Sequence, residues 1–222
     1  MNQFITSLAL LALGSAANAA TVQFDFNTAS STTLAGWTAA PLGNGSDGTV
    51  SLATTSIGAV TVDSRDRGAG NGGGAEALMW QDFLFANGSF SSVPGSGLNL
   101  ALVGLSPSTT YPITIWAFDD SSAPQPGDAP RAGDWSGGGG SGTLTFPDSP
   151  DPSSLADYNI TFNATSDPAG ALTITGIVSV TNPSTSHNVF INGLEVGNAI
   201  PEPSSALLGL MGLGGLLLRR RR

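Results

Sequence analysis

The sequence predicts an all-β fold, a single β-sandwich of jelly-roll type with an apolar leader before it and an apolar tail after it. Three observations predict it. Short runs rich in Thr, Val, Ile and aromatics alternate apolar with polar residues, the period of a half-buried strand. Clusters of Gly, Pro, Ser, Asn and Asp separate these runs, as turns require. No long stretch between residues 20 and 200 has helical periodicity. The 222 residues divide into a leader at 1–19, a sandwich domain at 20–198 and a tail at 199–222, with no internal repeat and no second domain.

The leader comes first. Residues 4–13 form a short apolar block, followed by small residues ending in Ala17-Asn18-Ala19. That is the h-region and A-x-A cleavage pattern of a secretory signal peptide, although Met1-Asn2-Gln3 supplies no Lys or Arg. The block is too short to span a bilayer. Cleavage is expected after Ala19 or Ala20.

Strands are expected at 22–26, 50–53, 59–62, 98–103, 111–118, 142–146, 158–164, 172–180 and 188–196. Val22-Gln23-Phe24-Asp25-Phe26 and Tyr158-Asn159-Ile160-Thr161-Phe162-Asn163-Ala164 carry the alternation most clearly. About nine short strands with turn signals between them fit a sandwich. Two segments break the rhythm. Residues 64–74 are Gly-rich with Arg65, Asp66 and Arg67, and residues 121–142 hold three prolines and the run Gly137-Gly138-Gly139-Gly140. Both are expected as loops at one rim, and loops of that length tend to be functional.

Composition excludes several function classes. The chain has no lysine and no cysteine, and its domain carries fifteen acidic residues against Arg65, Arg67 and Arg131, a net charge of −12. Such a surface repels nucleic acid and anionic lipid. Without cysteine there are no disulfides despite export, no Cys nucleophile and no thiolate metal site. The one histidine, His187, falls in a loop, so neither a Ser-His-Asp arrangement nor a His-based zinc site is expected. Gly70-Asn71-Gly72-Gly73-Gly74 lacks the Lys-Ser or Lys-Thr of a phosphate loop.

The tail closes the chain. Pro201-Glu202-Pro203 precedes 13 apolar residues, 206–218, and then Arg219, Arg220, Arg221 and Arg222. Thirteen residues give roughly 20 Å of helix, whereas a hydrocarbon core of about 30 Å wants roughly 20 residues. Extending back to Ala199 and letting the arginines snorkel closes most of the gap. The arginines stay cytoplasmic, and four glycines within the segment suit transient residence better than permanent anchoring. This ordered tripeptide, apolar segment and basic end resemble the PEP-CTERM sorting signal of Gram-negative bacteria, recognised by the membrane enzyme exosortase. The resemblance implies export by the secretion machinery, a transient inner-membrane stop, cleavage near the tripeptide, and delivery to the cell surface or exopolysaccharide matrix.

A second resemblance spans most of the domain. Asp63-Ser64-Arg65-Asp66-Arg67-Gly68, Trp80-Gln81-Asp82-Phe83, Gly104-Leu105-Ser106-Pro107 and Phe190-Ile191-Asn192-Gly193-Leu194-Glu195 are similar to landmarks of galactose-binding-like or malectin-like β-sandwiches. The resemblance implies a domain of a family whose members bind sugars, calcium or other proteins, or have no known ligand.

Two candidate sites follow from residue chemistry. Trp80, Trp116 and Trp135 lie near the rim with Arg65 and Arg67, and aromatic faces beside polar groups suit a sugar. Trp37 and Trp80 are also candidates for the core. Asp119, Asp120, Asp128 and Asp134 bracket the long loop, and hard oxygen ligands gathered at a loop are what Ca²⁺ takes. Three readings stand open: a non-catalytic surface or matrix protein binding glycan or calcium, a structural matrix component without a small ligand, and a glycan-active hydrolase or lyase using Glu76 and Asp82. The first is preferred, and the domain is expected not to be an enzyme.

Overall fold

The computed structural model describes residues 21–68, 74–87, 96–119, 130–147, 150–180 and 189–201. In chain order the strands are β1 (Val22–Asp25), β2 (Thr38–Ala39), β3 (Gly45–Ser46), β4 (Ser51–Ile57), β5 (Thr61–Asp66), β6 (Asp82–Asn87) and β7 (Gly97–Val103). There follow β8 (Thr110–Trp116), β9 (Arg131–Gly137), β10 (Gly140–Phe146), β11 (Asn159–Thr165), β12 (Ala171–Val178), β13 (Phe190–Ile191) and β14 (Gly193–Val196). Among the described residues helix is confined to a 3-10 turn at Pro41–Gly43 and to α1 (Ala77–Gln81).

The strands form three sheets. One has the order β11-β8-β14-β1-β2, the second β10-β9-β12-β7-β4-β3, and the third β13-β6-β5. Pairing is antiparallel except between β1 and β2. Alternation drives this arrangement. In β7, Leu98, Leu100 and Leu102 are buried while Ala101 and Val103 face outward; in β12, Leu172, Ile174 and Val178 are buried while Thr173 is exposed. In β8 the inward set is Tyr111, Ile113 and Ile115. These inward faces join Phe24, Phe83 and Leu194 in one hydrophobic core.

Residues Ala20–Ile200 form one compact unit, and Met1–Ala19 with Pro201–Arg222 are assigned to a second. The leader and the apolar tail segment lie outside the described residues. Among the described residues no helix is long and apolar enough to cross a membrane.

The structure departs from the sequence expectation in several elements, and no expected strand covers β2, β3 or α1. The segment 121–142, expected as a loop, contains β9 and the start of β10. Its glycine run is the hairpin between them: Gly137 pairs with Gly140, while Gly138 and Gly139 both take positive φ (54° and 87°). Two consecutive positive φ values make a type I′ turn, which matches strand twist and favours glycine. The segment 64–74 gives its first residues to β5, which runs to Asp66. Strand β6 was unassigned because residues 82–86 are all buried, so it has no alternation to read.

Candidate functional site

Two of the three arginines of the domain, Arg67 and Arg131, converge on Asp119. Arg67 follows the end of β5, where its N–H donates to Gln81 O at 2.7 Å. Asp119 lies just beyond β8, whose exit is fixed by Phe118 N–H donating to Asn192 Oδ1 at 2.7 Å. Arg131 opens β9. Arg67 binds Asp119 with two prongs, Nε to Oδ1 at 2.8 Å and Nη2 to Oδ2 at 3.1 Å. Arg131 Nη1 reaches Oδ2 at 3.1 Å. Side-chain exposures are 19% for Arg67, 5% for Arg131 and 3% for Asp119. The two-pronged geometry is the stronger form of a charge-assisted pair.

Aromatic rings floor this cluster. The Arg131 guanidinium lies 5.0 Å from the Phe190 centroid and 6.0 Å from that of Phe146. Arg67 lies 5.8 Å from Phe83, and Arg65 5.1 Å from Phe85. Cation–π attraction of this kind is strongest where the cation is desolvated, as Arg131 is. The arrangement ties β5, β8 and β9 together. A cavity no larger than a single water lies beside it, lined by Arg131, Trp135, Leu144, Phe146 and Phe190 among others.

The structure thus joins Arg67, expected beside a sugar, to Asp119, expected beside an ion. The tryptophans are placed inward: Trp80 is 0% exposed, Trp135 1% and Trp116 5%. Trp116 donates Nε1–H to Leu155 O at 2.8 Å and meets Trp37 edge-on at 5.5 Å. Trp135 lies over Gly176, where an added Cβ would stand 2.4 Å from the ring. Asp134, on β9, accepts from Thr143 Oγ1 at 2.7 Å. Asp120, Asp128 and His187 lie outside the described residues. Among the described residues no three His, Cys, Asp or Glu side chains are grouped to hold a metal ion. Glu76 precedes α1 and Asp82 follows it, the latter 2% exposed.

Near Trp116 the Asp157 carboxylate is held below its usual range by the N–H groups of Ser153 and Ser154, with Ser153 N at 2.8 Å. Sequence reasoning passed over Arg131 as a site residue. Its signal was rarity: in a chain without lysine, each arginine that is buried needs an acidic partner.

The tail is the other functional element. Pro201 ends the described residues, and Glu202, Pro203, Arg219, Arg220, Arg221 and Arg222 lie beyond them. The family model for the PEP-CTERM protein-sorting motif matches residues 199–222. The chain ends in a PEP-CTERM sorting motif. The PEP-CTERM motif implies export, sorting to the cell surface and processing by exosortase.

No curated protein matches the chain. Among solved structures, the plant receptor-like kinase ANX2 is similar at 9% identity and a TM-score of 0.42, over 67% of this chain and 40% of that one. The ANXUR1 extracellular domain from Arabidopsis thaliana is similar at 10% identity and a TM-score of 0.42, over 74% and 42%. The ANX1 ectodomain from Arabidopsis thaliana gives 12% identity and a TM-score of 0.40, over 82% and 51%. The chain therefore spans about half or less of the length of each. The β domain resembles these ectodomains at low identity, and no function follows from likeness at that level.

Proposed function

We propose that this protein is a non-catalytic component of the bacterial cell surface or extracellular matrix, released from its tail by exosortase, whose β domain associates with neutral polysaccharide. The five- and six-stranded sheets are read as the two layers of a jelly-roll sandwich. The observation that carries the glycan reading is the outer face of the six-stranded sheet. Register places Thr55 beside Asn99, Asn99 beside Thr175, Thr175 beside Ser136, and Ser136 beside Ser141. Five adjacent strands thus present one row of hydroxyl and amide side chains, all exposed or half-buried, at a strand spacing of about 4.8 Å. Thr175 Oγ1 donates to Asn99 Oδ1 at 2.9 Å, so part of the row is pre-ordered. A flat array of neutral donors and acceptors suits sugar hydroxyls, and the net negative charge of the domain disfavours anionic polymers.

Co-sedimentation of the full-length protein with an insoluble neutral glucan tests this reading. The Ser136→Glu, Thr175→Glu double variant should lose at least about tenfold in retention, because carboxylates there add charge to an uncharged row and offer the glycan no hydroxyl. Thr165→Glu, on the five-stranded sheet, should bind as the unaltered protein does. Equal retention of the double variant, or no retention of the parent, would count against the reading.

A further inference from the structure

Among the described residues three aspartates are buried, Asp25 at 0% exposure and Asp82 and Asp119 at 2% each. Asp119 has two arginines. Arg67 and Arg131 both turn to it, Arg65 lies over Phe85, and the chain has no lysine. Asp25 and Asp82 are met by a different environment.

Strand alternation starts it. Phe24 and Phe26 enter the core, so Asp25 and Asn27 turn to the other side of the chain, beneath residues 28–34. That segment is drawn down by polar contacts. Leu34 N–H donates to Asp25 Oδ2 at 2.7 Å, and Asn27 Nδ2 donates to Thr33 Oγ1 at 2.8 Å. The Ser31 side chain bonds to Asp82, and its hydroxyl also meets Thr28 Oγ1. From below, Asn192 brings Asp82 alongside: Phe26 N–H donates to Asn192 O at 2.9 Å, and Asn192 Nδ2 donates to Asp82 O at 2.8 Å.

Three oxygens are left over. Asp25 Oδ1, Asn27 Oδ1 and Asp82 Oδ1 are buried and have no hydrogen-bond partner. Asn27 is only 2% exposed. With both carboxyls ionised, all three atoms are acceptors and none has a proton to offer its neighbour. Buried acceptors of one sign call for a cation. Carboxylate, amide and hydroxyl oxygens without nitrogen or sulfur define a hard one, and two carboxylates balance a double charge. Magnesium demands near-ideal octahedral geometry, whereas calcium accepts mixed oxygen sets in flexible geometry and completes its shell with water.

We propose that Asp25, Asn27 and Asp82, with the Ser31 hydroxyl, bind one calcium ion that pins residues 28–34 over the end of β1 and the start of β6. Asp66, opposite Asp82 in the β5–β6 ladder, shares a side-chain hydrogen bond with the Asp82 carboxyl, and calcium would displace the shared proton. The site is separate from the Asp119 cluster and does not depend on the polysaccharide reading.

The test uses the full-length protein with CaCl2, MgCl2 or EGTA, following thermal melting and, by equilibrium dialysis, bound calcium. One calcium per chain is expected, with a higher melting temperature in CaCl2 than in EGTA and little response to MgCl2. The Asp25→Asn, Asp82→Asn double variant should bind no calcium at this site and should melt in EGTA at or above the parent, since neutral amides are buried at lower cost. Should the double variant fail to fold, Asn27→Leu supplies the test: calcium affinity at least about tenfold weaker, with melting in EGTA little changed. Asp47→Asn, which alters an exposed turn, should leave binding intact. Absence of bound calcium on the parent in millimolar CaCl2 would overturn the proposal, as would undiminished binding by the double variant or by Asn27→Leu.

Discussion

Asn192 ties separate segments of the chain through one side chain and its own peptide groups. Its Oδ1 accepts from Phe118 N, and its Nδ2 donates to the carbonyls of Trp80 at 3.3 Å and Asp82 at 2.8 Å. Its backbone N–H donates to Trp116 O at 2.9 Å, and its carbonyl accepts from Phe26 N. Because the residue is 0% exposed, no water replaces a lost partner. Asn192→Ala should therefore cost at least about 2 kcal/mol, the scale of stranded buried polar groups. Asn192→Asp, nearly the same in shape, should cost as much, because a carboxylate would face two carbonyl oxygens. Urea unfolding of both variants checks this, and an Asp variant as stable as the parent would contradict it. The Asn192-Gly193 pair was legible as a landmark of the closing strand, but its role was not. Its partners stand 74 and 110 positions away, a separation that no local pattern encodes. Asp119 was legible as a site residue for the same reason that misdirected its role: an acid at a strand end is visible, and the arginines that fold onto it are not.

Among the elements, legibility follows alternation. Strands β1, β7, β8 and β12 bury alternate residues, β11 buries Phe162 and Ala164 in the same rhythm, and each was readable. Strand β9 was not, because Arg131-Ala132-Gly133-Asp134-Trp135-Ser136-Gly137 lacks β-branched residues and two of its positions are glycine. It forms a strand because its neighbours on both sides supply ladders, to β10 and to β12. Packing fixes its place: Trp135 fills the space over Gly176 of β12, where an added Cβ would come within 2.4 Å of the ring. Gly176→Ala should destabilise the domain by about 1–3 kcal/mol through overpacking. The parallel control is Gly48→Ala, where nothing lies within 4 Å of the added Cβ but φ is +96°; its cost comes from backbone strain alone. Loss of near-ultraviolet tryptophan signal should accompany the Gly176 change and not the Gly48 change. An unchanged tryptophan signal and stability in Gly176→Ala would contradict this packing account.

At the scale of the whole molecule, a lysine-free domain of net charge −12 is joined to a tail holding four of the seven basic residues of the chain. That division of charge fits two stages. The arginines and the apolar segment belong to the sorting motif, and under the proposed function the acidic domain works after they are gone, in contact with neutral polymers. The tail was the most legible part of the sequence, because its order of motif, apolar run and basic end is local and needs no fold. The β class was legible from composition and period, and the face proposed to meet polysaccharide was not, since its row of five side chains exists only once the strands are in register. Under the proposed function, the working protein is exported and released from its tail. Intact mass of the protein recovered from a Gram-negative host that supplies exosortase tests it most directly. The account predicts a mass lacking both the leader up to Ala19 or Ala20 and the residues after the Pro201-Glu202-Pro203 region, with the tail kept when those three are replaced by alanine. A mass that retains Arg219 to Arg222 whether or not exosortase is present would contradict it.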